Sequence, residues 1–387
     1  CAALTNVFIC IALGAGVGAG VLVSRNFGAQ NYGKMKTIVS TSLISFLLLS
    51  IFLGIFGVCS AHWMMRILQT PADIMEEAVL YLRIYFAGFP FLFMYNILST
   101  MFTSIGESKI PLWLLIFSSV LNIIMDLWMV GGLKLGVFGA ALATLIAQGI
   151  SAVLSLLIFL DRMRKYASPF HWFDKSELRS MLKLAIPSIL QQSTVSIGMM
   201  LVQSVVNSFG SQMLAGYSAA MRVESICVVP MSAMGNAISS YTAQNIGAEQ
   251  KGRVREGYRA VTIMVLGFAA VICLALELSG DSLAYLFLGA DGTPAAMQTA
   301  VNCMMFMGWF YCLIGFKMTA DGVLRGAGDM KLFTVANLVN LGIRVIVAVT
   351  MAPRCGIFMV WAAVPVGWTA NWLISYCRYR TGKWEKR

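Results

Sequence analysis

Apolar runs long enough to cross a lipid bilayer follow one another along the whole 387-residue chain, and nothing else about it constrains the fold as tightly. A hydrocarbon core of about 30 Å needs roughly 20 apolar residues wound as a helix. Eleven such segments read out at about 4–23, 37–60, 79–102, 110–131, 136–160, 183–208, 214–242, 259–279, 297–321, 332–352 and 356–377. Lipid offers no partner to a backbone N–H or C=O, so only helices and closed barrels span it. The alternating strands of about ten residues that a barrel needs are not seen. The expectation is an all-α polytopic membrane protein. Only 12% of residues are charged, against about 25% in a soluble domain, so the soluble class is set aside.

The net charge of +11 would suggest nucleic acid in a soluble protein, but here the cations are segregated by loop. One alternate set of loops, with the C-terminal tail, holds twenty-one Lys and Arg; the opposite set holds five, namely Arg66, Arg83, Lys134, Arg222 and Arg354. Basic loops stay in the cytoplasm, so the C-terminus is expected inside and residue 1 near the outer face, with no nucleic-acid partner. The nine cysteines show no paired or ligand-like spacing and mostly fall in apolar segments, where Cys behaves as a small hydrophobe. His62 and His171 are the only histidines. Disulfides, a metal centre and cofactors are not expected.

Two halves of the chain echo each other. Residues 25–30 (RNFGAQ) match 244–249 (QNIGAE), 106–109 (GESK) match 328–331 (GDMK), and 136–138 (GVF) match 356–358 (GIF). The offsets, 219, 222 and 220, are close to constant and the matches come in order. A period of six helices brings both copies into the membrane in the same sense, a parallel repeat of two six-helix bundles. Residue 1 then aligns with the interior of the second copy, and the first helix of the first bundle is expected to be missing. The expected organisation is an N-terminal bundle over 1–160, a cytoplasmic linker over 161–182, a C-terminal bundle over 183–377 and a cytoplasmic tail over 378–387. Residues 174–183 read as a short amphipathic cytoplasmic helix ahead of the next span.

An ionisable group inside lipid costs at least about 2.5–3.5 kcal/mol at a helix centre, which makes it a functional hypothesis by default. Asp126 leads, with Asn122 one turn earlier on the same face. An amide oxygen beside a carboxylate suits a hard cation, and a desolvated Asp suits a proton. The alternative is a plain interhelical hydrogen bond. The second half places Arg344 and Ala348 at the matching positions, so the bundles are electrostatically unequal. Glu224 and Arg222, with Arg344, form a candidate polar site in the second bundle, although residues two apart face differently on a helix. Gln191, Gln192, Gln203 and Asn207 are candidate cavity-lining amides, with polar helix packing the alternative. Lys317 and Asp321, one turn apart near a span end, read as pairing or snorkelling rather than transporting, and Glu277 reads as interfacial. Pro187, Pro230 and Pro365 lie in or near spans, where a hinge and routine tolerance are both open.

Specific segments resemble the MATE (multidrug and toxic-compound extrusion) family: residues 14–28 (GAGVGAGVLVSRNFG), 81–84 (YLRI) with Pro90 and Asn96, 118–127 (SSVLNIIMDL), 136–148 (GVFGAALATLIAQ), 221–225 (MRVES), 244–249 and 324–329 (LRGAGD). The order is right over essentially the whole chain, and the details look most like the DinF-like bacterial branch. The resemblance implies a monomeric antiporter in a bacterial inner membrane that exports organic cations and amphipathic toxic compounds against H⁺ or Na⁺. It also implies that Asn96, Asn122, Asp126 and Thr144 hold the coupling proton or Na⁺, joined by an Asp on the absent first helix. The Na⁺-coupled branch carries a carboxylate on its seventh helix; span 183–208 has none. A lipid-linked oligosaccharide flippase would need several cavity cations, and a membrane-embedded enzyme would need a clustered His, Asp or Ser constellation. The Gly-rich turns lack the Lys of a nucleotide-binding loop.

Overall fold

The computed structural model describes residues 2–67, 70–71, 74–166, 168–289 and 292–386. Those residues form helices joined by short turns: α1 (Ala2–Gly28), α2 (Tyr32–Ile67), α3 (Met75–Ala87), α4 (Phe89–Ser104), α5 (Lys109–Asp126), a π-helical turn (Leu127–Gly132), α6 (Gly136–Arg164), α7 (Lys175–Asn207), α8 (Ser211–Gly247), α9 (Lys251–Leu288), α10 (Pro294–Gly308), α11 (Tyr311–Gly326), α12 (Met330–Thr350), α13 (Ala352–Cys355), α14 (Phe358–Arg380) and a 3₁₀ turn (Lys383–Lys386).

All eleven expected segments are helical. Seven helices are long and apolar enough to cross a membrane, and nine if each bent pair, α3 with α4 (45°) and α10 with α11 (53°), counts as one span. The two that fall below that measure are α8 and α14. The first carries Arg222, Glu224 and many Ser, Asn and Gln; the second carries Asn371, Ser375 and three Trp. The α3–α4 bend has a local cause: Pro90 at the start of α4 lacks an N–H and its ring clashes with a carbonyl one turn back. Large apolar side chains such as Phe52, Trp113, Leu127, Ile263 and Leu278 point outward, the reverse of a soluble surface.

The chain divides into two compact units, Cys1–Ile189 and Leu190–Arg387. In the first, α1 meets α4 through small residues. Ser104 Oγ donates to Gly20 O at 3.0 Å and Ser24 Oγ donates to Ser104 O at 3.2 Å, bonds that water would otherwise take. In the second, α8 and α11 approach closely because Gly322 and Gly326 face the carbonyls of Gly235 and Ser239, where a methyl group would clash.

The three repeated motifs share left-handed turn residues: the first two close helices, and the third stands at the opening of α6 and α14. Gln30 (φ 55°) matches Glu249 (φ 59°), Gly106 (φ 85°) matches Gly328 (φ 79°), and Gly136 (φ 55°) matches Gly356 (φ 88°). The bonds repeat as well: Asn31 N donates to Asn26 O (2.9 Å) as Gln250 N does to Asn245 O (2.8 Å), and Glu107 N donates to Phe102 O (2.9 Å) as Asp329 N does to Leu324 O (2.8 Å). Such left-handed closures satisfy the last orphan carbonyls of a helix.

Two segments gain definition. The helix foreseen over 174–183 and the following span are one continuous helix, α7, because nothing between them breaks it and Pro187 is absorbed within it. Asp174 caps its start, accepting from Ser176 N (2.7 Å) and Glu177 N (3.3 Å), and Glu177 pairs with Lys34 at 3.1 Å. The tail over 378–387 is docked among its described residues. Trp384 is fully buried, its Nε1 donates to Tyr379 O (2.9 Å), and Glu385 pairs with Arg255 at 2.8 Å.

Candidate functional site

In the first unit, α5 and α6 bring Asn122 and Thr144 together, and Asp126 lies one turn beyond Asn122 on α5. Asn122 Nδ2 donates to Thr144 Oγ1 at 3.4 Å, and Thr144 Oγ1 donates to Ala140 O at 3.0 Å. Asp126 ends α5, and its Oδ1 is a buried atom with no hydrogen-bond partner in the protein. The helix widens to a π turn on the next residue, a distortion often found at functional sites because it re-aims neighbouring side chains. Asn96, on α4, spends its amide on its own helix, donating to Leu92 O at 2.8 Å. Thr144 also lines a small cavity with Tyr81, Tyr85, Gly88 and Gln148, at the α3–α4 bend.

In the second unit, Glu224 on α8 lies within electrostatic reach of Arg344 on α12 and of Tyr217, Cys303 and Tyr311. Arg344 also points a guanidinium nitrogen at Met199 Sδ (3.1 Å). Arg222 is exposed, on a different face from Glu224. The four α7 amides do not converge. Gln191 Nε2 donates to Asn337 Oδ1 (3.4 Å), while Gln203 Nε2 donates to the exposed Asn207 (3.5 Å) along one helix face. Sixteen residues separate Gln191 from Asn207, roughly 24 Å of helix. Gln192 is half-buried.

A further cluster was not foreseen as a site. Lys317 and Asp321 on α11 are both buried and pair at 3.5 Å, so neither snorkels. Asp321 Oδ2 accepts from Asn337 Nδ2 on α12 (3.1 Å), and Oδ1 accepts from Ser375 Oγ on α14 (2.6 Å). The sequence signal was the spacing of four between opposite charges in an apolar span, together with Asn337, Asn340 and Asn371 in later spans. Among the described residues, no group of three or more His, Cys, Asp and Glu is placed to hold a metal ion.

Two compact helical units with apolar exteriors and ionisable groups inside their spans define an all-helical multi-pass membrane protein. The MatE family model matches residues 1–128 and 187–350. The probable multidrug resistance protein YpnP of Bacillus subtilis (strain 168) is 30% identical over 373 residues, covering 94% of this chain and 81% of that one. The multidrug export protein MepA of Staphylococcus aureus (strain MRSA252) is 26% identical over 327 residues, 83% of this chain and 70% of its own. A solved outward-facing conformation of a multidrug resistance MATE family transporter of the MOP superfamily has the same fold, with a TM-score of 0.89 at 21% identity, over 98% of this chain and 85% of that one. The chain belongs to the MatE family of membrane transporters.

Proposed function

We propose that the chain is a secondary active antiporter of the DinF-like branch. It exports organic cations and amphipathic toxic compounds in exchange for H⁺ or Na⁺, by alternating access between two bundles. The observation that carries the coupling site is Asp126: one carboxylate oxygen is buried without a protein partner, beside the Asn122–Thr144 pair and at a π turn. A group left in that state in lipid is stabilised by taking a proton or a cation. Asn96 joins this site on family resemblance. Glu224 with Arg344 is the polar site of the second bundle, and Gln191 and Gln192 are the amides we assign to the substrate path.

The multidrug names of the curated relatives support the substrate class. The repeated turns support the two-bundle exchange, over boundaries of 1–160 and 183–377. The segregation of basic loops supports a bacterial inner-membrane location with the C-terminus cytoplasmic. A flippase for lipid-linked oligosaccharides is disfavoured because Lys317 is committed to Asp321 and Arg344 is in reach of Glu224, leaving neither as a dedicated pyrophosphate clamp. The test is dye efflux from proteoliposomes under separate pH and Na⁺ gradients. Asp126→Asn should abolish ion-driven efflux while leaving the protein folded; unimpaired efflux refutes the assignment, and the gradient that drives the unmodified protein names the ion.

A further inference from the structure

The linker between α6 and α7 presents aromatic rings that its own unit leaves open. Its chain is tied to the start of α2 by three bonds. His171 N donates to Thr37 Oγ1 (3.1 Å), Ser40 Oγ donates to His171 O (3.0 Å), and Asp174 N donates to Thr41 Oγ1 (3.0 Å). A methyl group on Gly33 would strike the Pro169 carbonyl, so the two backbones touch there. The segment is held in place, yet its rings face outward: Phe170 and Phe173 are exposed, and Trp172 is 74% exposed. The Phe170 and Trp172 rings lie 5.3 Å apart, and Lys36 Nζ sits 5.7 Å from the Phe170 ring centre. Such exposure is not the default for a segment that returns onto a helix. After α14 the returning segment of the second unit buries Trp384 completely.

Depth and charge together identify what meets these rings. Thr37 and Thr41 stand at the opening of the α2 span, and Leu43, where its apolar stretch begins, is three residues past Ser40, about 4.5 Å of helix. The segment therefore lies where hydrocarbon gives way to headgroups. Trp favours that level because its ring is apolar and its N–H polar. Over 161–182, Arg164, Lys165, Lys175 and Arg179 are exposed, whereas Asp161 is the one exposed carboxylate among the described residues. Asp174 is committed to capping α7, and Glu177 to Lys34. An excess of cations at headgroup level is complementary to an anionic leaflet. We propose that residues 168–174 anchor the first unit to the adjoining leaflet. Trp172 and Phe173 seat among the headgroups, and Lys175 and Arg179, one turn apart on α7, hold phosphates of anionic phospholipids. The anchor fixes the starts of α2 and α7 to the membrane surface.

By the topology proposed above this leaflet is the cytoplasmic one, but nanodiscs open both faces and test the anchor on either side. The full chain, its nine tryptophans replaced by 5-fluorotryptophan, is placed in discs of phosphatidylcholine with phosphatidylglycerol. The fluorine resonance missing from Trp172→Phe is that of Trp172, and the remaining resonances, unmoved, show that the variant is folded. A phospholipid with a nitroxide near the carbonyl end of its acyl chain is compared with a water-soluble gadolinium chelate. The lipid should broaden the Trp172 line at least about twice as much as the chelate does. A smaller ratio puts the ring in water and overturns the proposal. A line broadened by neither shows a protein surface over Trp172, from a partner or a second copy, and overturns it too. Lys175→Gln/Arg179→Gln should lower the ratio in these discs and leave it unchanged in phosphatidylcholine alone. An unchanged ratio in the charged discs overturns the contact with anionic lipid.

Discussion

Replacing Trp384 by alanine tests whether the C-terminal segment is part of the folded second unit. Its side chain is fully buried, Nε1 donates to Tyr379 O at 2.9 Å, and the indole stacks on the Tyr379 ring at 5.9 Å and 13°. Tyr379 stacks in turn on Tyr258 of α9 at 4.4 Å. Removing a buried Trp costs about 3–5 kcal/mol through lost burial and the cavity left behind. The neighbouring Arg255–Glu385 pair is the internal control: the arginine side chain is 64% exposed, and exposed pairs contribute about 0–1 kcal/mol. Trp384→Ala should therefore lower the thermal unfolding midpoint of the detergent-solubilised protein clearly, and Glu385→Gln hardly at all. Carboxypeptidase should trim Trp384→Ala first, since a local detachment limits how much of the cost reaches the whole unit. If Trp384→Ala melts and trims like Glu385→Gln, the docking of this segment is refuted.

Lys317→Met alone strands a buried carboxylate and should cost about 3–5 kcal/mol, whereas Lys317→Met/Asp321→Asn should recover much of it; thermal unfolding of the four-protein cycle checks this, and a double-variant cost equal to the sum of the two single costs would show the pair to be decoupled. Gly106→Ala and Gly328→Ala force the same left-handed turn on a side chain (φ 85° and 79°). Each should cost about 1–2 kcal/mol, and the two shifts in unfolding midpoint should be alike if the repeat is one geometry used twice.

What local chemistry encodes was legible in order. The eleven apolar segments became helices because their length and polarity fix that outcome in lipid, whatever their neighbours. Two of the repeated motifs were legible for a related reason: a left-handed helix end asks for glycine or a tolerant polar residue at one position, and the chain supplies Gly106 and Gly328, or Gln30 and Glu249. Asp126 and Asn122 stood out as polar groups in an apolar span, one turn apart. The bond of Asn122 to Thr144, 22 residues on, follows from α5 packing on α6. The partners of the four α7 amides were not legible: Gln191 donates across to Asn337 on α12, while Gln203 donates along its own helix to Asn207.

The sequence alone determined the solvent this protein folds in, the positions of its helices and their duplication, because hydropathy and turn chemistry act over a few residues. Tertiary structure decided which polar groups are buried together. Lys317 and Asp321 could equally have snorkelled from a span end; they form a buried centre because Ser375, 54 residues away, and Asn337 arrive on two other helices to satisfy the carboxylate. Trp384 reads as part of a charged tail until Tyr379 offers it a carbonyl and a ring. Burial depends on neighbours that are distant in the chain, and a linear pattern of residues carries no record of them.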